Sequence, residues 1–295
     1  MAEQLRTFSG QPIMPVTEGG GGSSELSGKR ILFFGDSLVA ASNAQITNGG
    51  FVKIIADRNS LAYENYYSVK SPTNAQKQSV AVKNIALDGS TLQERASESY
   101  NIVYRVKHWV DAEYSDIVII EGGVNDYFHG NKGSVSNSYT AEYDTATALG
   151  GLEEILRYCT NLGVKVGYLI MHNVNGVPEN YFTDMMTACE KWGVPYVDLR
   201  KKAGFFMSTQ NTVHGELYST SVTEEWSATK VYSKDYKIVY EGSTYKSKEG
   251  GNVGNVPTNT EYWTLMSRYP FDMTHLNNLG HEVISKKIEA FLKSI

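Results

Sequence analysis

Cysteine and proline are scarce in this chain: 2 Cys and 7 Pro in 295 residues. Two thiols, Cys159 and Cys189, cannot build a disulfide framework, and neither stands in a metal-binding spacing. Both read as buried structural thiols, the usual state of a free cysteine. No apolar run is long enough to span a bilayer, so no membrane segment is expected. The opening stretch, MAEQLRTFSGQPIMPVTE, lacks the basic-then-apolar layout of a signal peptide. A basic surplus is also missing. Lys and Arg number 27 against 32 Asp and Glu, for a net charge of −5, which excludes a general nucleic-acid or anionic-membrane binder.

The chain is rich in 27 Gly and 20 Tyr, and its apolar share of 41% is that of a globular protein. The tyrosines fit a glycan-contacting surface, a Tyr-rich core or a homo-oligomer interface equally well. The length exceeds one ordinary α/β domain and falls short of two.

Residues 1–28 read as a tail and linker, with Pro12, Pro15 and a glycine run at 19–22. From Lys29 onward, short apolar runs alternate with helical spacing. Ile31–Phe34 is a buried-strand pattern, 51–59 helical, 79–87 a strand and 91–109 a longer helix. Then come a strand at 117–120, a helix at 142–162, a strand at 164–171, a helix at 180–192, a short strand at 194–197 and a C-terminal amphipathic helix at 277–292. Such alternation predicts a three-layer α/β/α fold around a parallel sheet. Residues 204–267 break the rhythm with period-two patterns and hairpin turns, which predicts a small antiparallel β insert.

Ligands of an open parallel sheet bind beyond the carboxyl ends of its strands, and several such positions carry unusual residues. Gly35-Asp36-Ser37 follows the first strand; it is either an exposed nucleophile at a helix N-terminus or an ordinary cap. Residues 84–91 contain Gly89, where a backbone N–H can approach a ligand. Gly123-Val124-Asn125-Asp126 offers a side-chain amide donor, or a plain Asx turn. Asp272-Met273-Thr274-His275 reads as a loop before the last helix, on which a carboxylate could orient an imidazole base. A surface loop or a metal site would share that pattern, but no second His/Asp cluster supports a metal.

Together and in this order, the four segments resemble the SGNH (GDSL-type) hydrolase family over about residues 29–203 and 268–295. The resemblance implies a flavodoxin-like three-layer fold and a serine esterase mechanism without metal or organic cofactor. It implies Ser37 as nucleophile, His275 as general base and Asp272 as the residue orienting His275. It implies an oxyanion hole from the N–H groups of Ser37 and Gly89 and the amide of Asn125. Asp36 would shape the turn, and His281 would be structural. The first block departs from the family by continuing Leu38-Val39, and Asp88 stands where a small residue is usual; both bear on substrate fit.

Residues 224–266 resemble the small carbohydrate-binding modules of chitinases, and similar segments recur in bacteriophage tail proteins. The resemblance rests on the aromatics, turn glycines and Pro257. Trp226, Tyr240, Tyr245 and Trp263 would stack on sugar rings, or would form the module's own core. The insert precedes the His275 segment, which favours an ester-bearing carbohydrate substrate such as an O-acetylated surface polysaccharide. Without a secretion signal, a virion (phage tail) or extracellular location is expected, with residues 1–28 reaching tail proteins. The competing expectations are an adhesion protein with a non-catalytic hydrolase fold and a lipid- or thioester-cleaving hydrolase.

Overall fold

The computed structural model describes residues 24–42, 46–67, 69–95, 101–172, 174, 176–202, 217–220, 224–267 and 271–295. Six strands form one parallel sheet: β1 Ile31–Phe34, β2 Tyr63–Asn65, β3 Val82–Asn84, β4 Ile117–Glu121, β5 Lys165–Ile170 and β6 Tyr196–Asp198. Their order is β2-β3-β1-β4-β5-β6. Helices cover both faces, so the central strands are buried on both sides and read as unbroken apolar runs, ILFF in β1 and IVII in β4. On one face α2 (Gly50–Arg58) packs against the last helix, α9 (Asn278–Ser294). Arg58 joins them by ion pairs to Glu282 (2.9 Å) and Glu289 (2.6 Å). On the other face lie α4 (Ile102–Trp109), α6 (Ala148–Asn161) and α7 (Thr183–Trp192). The predicted three-layer α/β/α fold is the one observed.

The sheet order puts β1 between β3 and β4, so the chain crosses over the end of β1 on its way from one to the other. Parallel sheets bind ligands at that crossing, and the segments singled out in the sequence leave from β1, β3 and β4.

Several boundaries differ from expectation for identifiable reasons. The helix expected at 91–109 is α4 alone, because Leu92 and Gln93 give their N–H groups to the Asp126 carboxylate instead. The helix expected at 142–162 starts at Ala148, where the Thr147 hydroxyl caps it by accepting from Gly150 N–H. Strand β2 was not expected: Tyr63, Glu64 and Asn65 line an exposed sheet edge and carry no apolar run. Residues 24–28 are not tail, since Leu26 is buried in the main core and Ser24 Oγ donates to Asn59 Oδ1 (2.5 Å). The rest of the expected tail, 1–23, lies outside the described residues.

Within the expected insert, β8 (Lys237–Tyr240), β9 (Ser243–Ser247) and β10 (Trp263–Ser267) form an antiparallel sheet. Its small core of Tyr232, Ile238 and Trp263 is separate from the main one. Strand β7 (Tyr218–Thr220) behaves differently. It pairs with β11 (Phe271–Leu276), and Leu217 and Tyr218 belong to the main core. The Asp272–His275 segment is therefore strand rather than loop. Between the pairs Phe271–Thr220 and Leu276–Tyr218 the registers of β11 and β7 shift, so β11 bulges where it carries His275.

Candidate active site

Strand β1 ends in Gly35 and Asp36, and α1 (Ser37–Ala40) begins at once. Asp36 is its cap: Oδ1 accepts from Leu38 N–H at 2.8 Å. Val39 and Ala40 donate their N–H groups to Asp36 O. Asn84 at the end of β3 holds the other end of α1, its Nδ2 donating to Val39 O at 3.0 Å. In this run of buried residues, Ser37 alone is half-exposed. His275 Nε2 lies 2.9 Å from Ser37 Oγ, across 238 residues of sequence. That places a hydroxyl and an imidazole in hydrogen-bond reach at a helix N-terminus.

Gly89 has φ of +72°, which opens the turn after β3 and leaves its backbone exposed. Ser90 N–H donates to Leu87 O and closes that turn. Among the described residues, the N–H groups of Ser37 and Gly89 are given to no acceptor. Asn125 lies on α5 (Val124–His129), directly after β4. Its Nδ2 donates to Asp36 Oδ2 at 2.8 Å and to Ser90 O at 3.1 Å. One side chain thus ties the residue before Ser37 to the residue after Gly89 and gathers the three expected donors. Both amide protons are engaged in this state, so donation to a ligand oxygen would draw on the longer bond, to Ser90 O.

The chain matches the GDSL-like lipase/acylhydrolase model over residues 31–288. It belongs to that family. No match is found among curated proteins. One crystal structure aligns over 92% of this chain and 99% of its own length at 18% identity with a TM-score of 0.54, a likeness of fold. Others are more distant. A GDSL-like lipase from Bacteroides ovatus aligns over 90% of this chain and 99% of its own (12% identity, TM-score 0.43). The acetyl xylan esterase AlAXEase aligns over 89% and 99% (14% identity, TM-score 0.46).

In this GDSL hydrolase the Asp272 side chain lies outside the described residues, so its expected partnership with His275 is not part of the observed geometry. His275 is steadied from another side. His172, buried after β5, has Nε2 2.6 Å from Thr274 O, and a carbonyl only accepts, so that nitrogen carries the proton. Sequence reading missed His172, because a lone histidine after a strand carries no pattern. It also missed Glu121, the single carboxylate at the end of an otherwise apolar β4. Glu121 is buried, and Asp36 N–H donates to its Oε2 at 3.0 Å. Burial raises the pKa of both carboxyls, Asp36 to about 6 and Glu121 well above the ordinary carboxylate range, where the charge of Asp36 adds to the effect. Asp126, also buried, anchors the loop after Ser90 through Leu92 and Gln93.

His281 is structural as expected: it is buried in α9, its Nδ1 accepts from Phe51 N–H, and burial lowers its pKa to about 3. Burial pushes both cysteines up to about 12, so they are protonated thiols at neutral pH. Asp88 sits exposed beside the turn and accepts from Ser42 Oγ and Tyr67 OH. Among the described residues no group of three His, Cys, Asp or Glu could hold a metal. A cavity of about 280 Å³ around Lys29, Asp116, Ile117 and Leu292 contains none of these residues. It lies by the start of β4, opposite the ligand-binding strand ends.

One expected sugar-stacking residue is corrected. Trp263 is 1% exposed and its Nε1 donates to Asn255 O at 2.9 Å, so it is a core residue of the small sheet and offers no face to a sugar. A module with so little apolar area must use its largest side chain inward. Trp226, Tyr240 and Tyr245 are half-buried in an edge-to-face series, with centroids 5.4 Å and 6.5 Å apart. Beside Asn125, α5 also exposes Tyr127 (37%) and Phe128 (53%), which the sequence reading did not single out.

Proposed function

We propose that this GDSL hydrolase is a serine esterase that removes short acyl groups, acetyl above all, from an O-acylated carbohydrate. The observation that carries the reading is the 2.9 Å approach of His275 Nε2 to Ser37 Oγ at the N-terminus of α1. His275 takes the Ser37 proton as Oγ attacks the ester carbonyl. Negative charge then develops on the carbonyl oxygen. The N–H groups of Ser37 and Gly89, given to no acceptor among the described residues, suit that charge, and Asn125 joins them by giving up Ser90 O. His275 returns its proton to the leaving sugar oxygen, and an acyl-serine remains. Water, deprotonated by the same imidazole, attacks the acyl carbonyl and frees Ser37 and the acid. Asp272, three residues before His275, is the carboxylate that orients the imidazole in this reading.

Support for a carbohydrate comes from aromatics. Tyr127 and Phe128 stand exposed on the helix that carries Asn125, and flat aromatic faces suit pyranose rings. Trp226, Tyr240 and Tyr245 on the small sheet would add further contacts to a polymer. The same reading gives residues 1–23, the part of the expected tail ahead of the buried Leu26, an attachment role on a virion tail or cell surface.

The test is acetate release from acetylated polysaccharides by wild type and by Ser37→Ala, with p-nitrophenyl acetate as a small-ester control. The reading expects release by wild type and loss of about 10³-fold or more in the variant. Activity on p-nitrophenyl acetate with no acetate released from any polysaccharide would remove the carbohydrate. Polysaccharide binding without hydrolysis of either would favour an adhesion protein.

A further inference from the structure

We propose that Glu121 is a positioning residue of the active site: a buried carboxyl that fixes Asp36, and through Asp36 both the Ser37 turn and the Asn125 amide. The inference rests on Ser37 being the nucleophile.

Glu121 ends β4, and α5 with Asn125 starts three residues later. Its side chain reaches the end of the neighbouring strand β1, where Oε2 accepts from Asp36 N–H at 3.0 Å. Space is made for it there. A Cβ on Gly35 would stand 2.6 Å from Glu121 Oε2, so only glycine lets the carboxyl in. Asp36 then spends its own oxygens in two directions, Oδ1 on Leu38 N–H inside α1 and Oδ2 on Asn125 Nδ2, both at 2.8 Å. The chain of bonds Glu121–Asp36–Asn125 connects the backbone that carries the nucleophile to the amide expected at the oxyanion. A shift in Glu121 would move both.

The chemistry of the pair explains why a carboxyl stands here. Glu121 and Asp36 are each 1% exposed, and two adjacent carboxylates in so dry a place do not both ionise near neutral pH. Both Asp36 oxygens accept from N–H donors, which suits a charged Asp36 and leaves the shared proton on Glu121. The pair then carries one negative charge, on Asp36. The titratable groups around it are Asp126 on α5, His275 on β11 and Tyr168 on β5. Asp126 raises the Asp36 pKa, His275 lowers it, and the Tyr168 hydroxyl is raised in part by Glu121. A negative Asp36 polarises the Asn125 amide and favours the imidazolium that His275 becomes when it takes the Ser37 proton. Glu121, as neutral donor and acceptor, keeps that charge in place.

A neutral Glu121 behaves like glutamine, and this makes the proposal testable. In Glu121→Gln the carbonyl can accept from Asp36 N–H while the NH₂ donates to the Asp36 carboxylate. In Glu121→Leu both partners are lost at similar volume. The assay is p-nitrophenyl acetate hydrolysis across pH, with Ser37→Ala alongside and folding followed by circular dichroism. Glu121→Leu should lose about tenfold or more in kcat with KM changed less than about threefold, since a positioning group acts on the transition state. Its acid limb should move to higher pH as Asp36 loses a donor. Glu121→Gln should recover kcat to within about threefold of wild type and restore the acid limb. If Glu121→Leu keeps wild-type kcat, or if a folded Glu121→Gln loses tenfold or more, the proposal is overturned. Should Glu121→Leu fail to fold, the glutamine variant decides alone by the same criterion. Wild-type activity in Ser37→Ala would instead overturn the nucleophile itself, a separate failure.

Discussion

At the scale of single residues, the site depends on protons being held by particular atoms. Asn125 spends its amide on Asp36 and Ser90 in the resting state. Replacing it with alanine should lower kcat for a short ester by about a hundredfold while KM changes little, as expected for a donor used chiefly in the transition state. Steady-state kinetics checks this, and a loss confined to KM would contradict it. His281 gives a different signal. Its folded pKa of about 3 lies below its ordinary 6.5, so the unfolded chain holds the proton more tightly. Its contribution is fully present above pH 6.5 and is lost as pH falls toward 3, with a slope of up to about 1.4 kcal/mol per unit. Urea unfolding of wild type and His281→Asn between pH 4 and 7 should show a stability difference that shrinks at the acid end. A constant difference would mean that His281 does not titrate on unfolding.

The same scale shows what could be read from the chain. Ser37, Gly89, Asn125 and His275 were singled out because four short motifs, each open to a plainer reading alone, stand in the order of one family, and the fold brings Ser37 and His275 together. Glu121 and His172 were not. Each is one polar residue at or just past the end of an apolar strand, and its role comes from a partner distant in sequence: Asp36 for Glu121, Thr274 for His172. Sequence spacing cannot report a contact between residues 85 or 102 positions apart. Trp263 failed in the opposite sense, since an aromatic in a small module looks alike whether it faces a sugar or the core.

At the scale of elements, the buried strands β1, β4 and β5 were legible from their apolar runs, whereas the edge strand β2 was not, because half-exposed polar residues look like a turn. The main element-level surprise is β11. It carries His275 and is held by β7, a strand of three residues that the period-two pattern had joined to the insert. This pairing makes a sharp prediction about deletions. Replacing 224–266 with a short linker should keep hydrolysis of p-nitrophenyl acetate within a few-fold of wild type. Extending the deletion to 217–266 removes Tyr218–Thr220 and the buried Leu217, and should abolish it. Equal activity in the two would show that β7 does not hold the His275 strand.

At the scale of the whole molecule, the surplus length resolves into a six-stranded hydrolase sheet and a small aromatic sheet, each with its own apolar core. The two cores should be separable in stability. Trp263→Ala would remove most of the small core, at a cost of about 3–5 kcal/mol to that unit. The variant should unfold the small sheet locally, visible as faster amide exchange over 237–247, with small-ester hydrolysis retained. Loss of both together would make them one cooperative unit.

The central claim is that Ser37 is a nucleophile activated by His275. Its most direct test is the intact mass of the protein after treatment with a fluorophosphonate, followed by peptide mapping. The account predicts one adduct, on Ser37, formed by wild type, absent in Ser37→Ala and strongly slowed in His275→Ala. A wild type that stays unlabelled, or an equal adduct in Ser37→Ala, would contradict it.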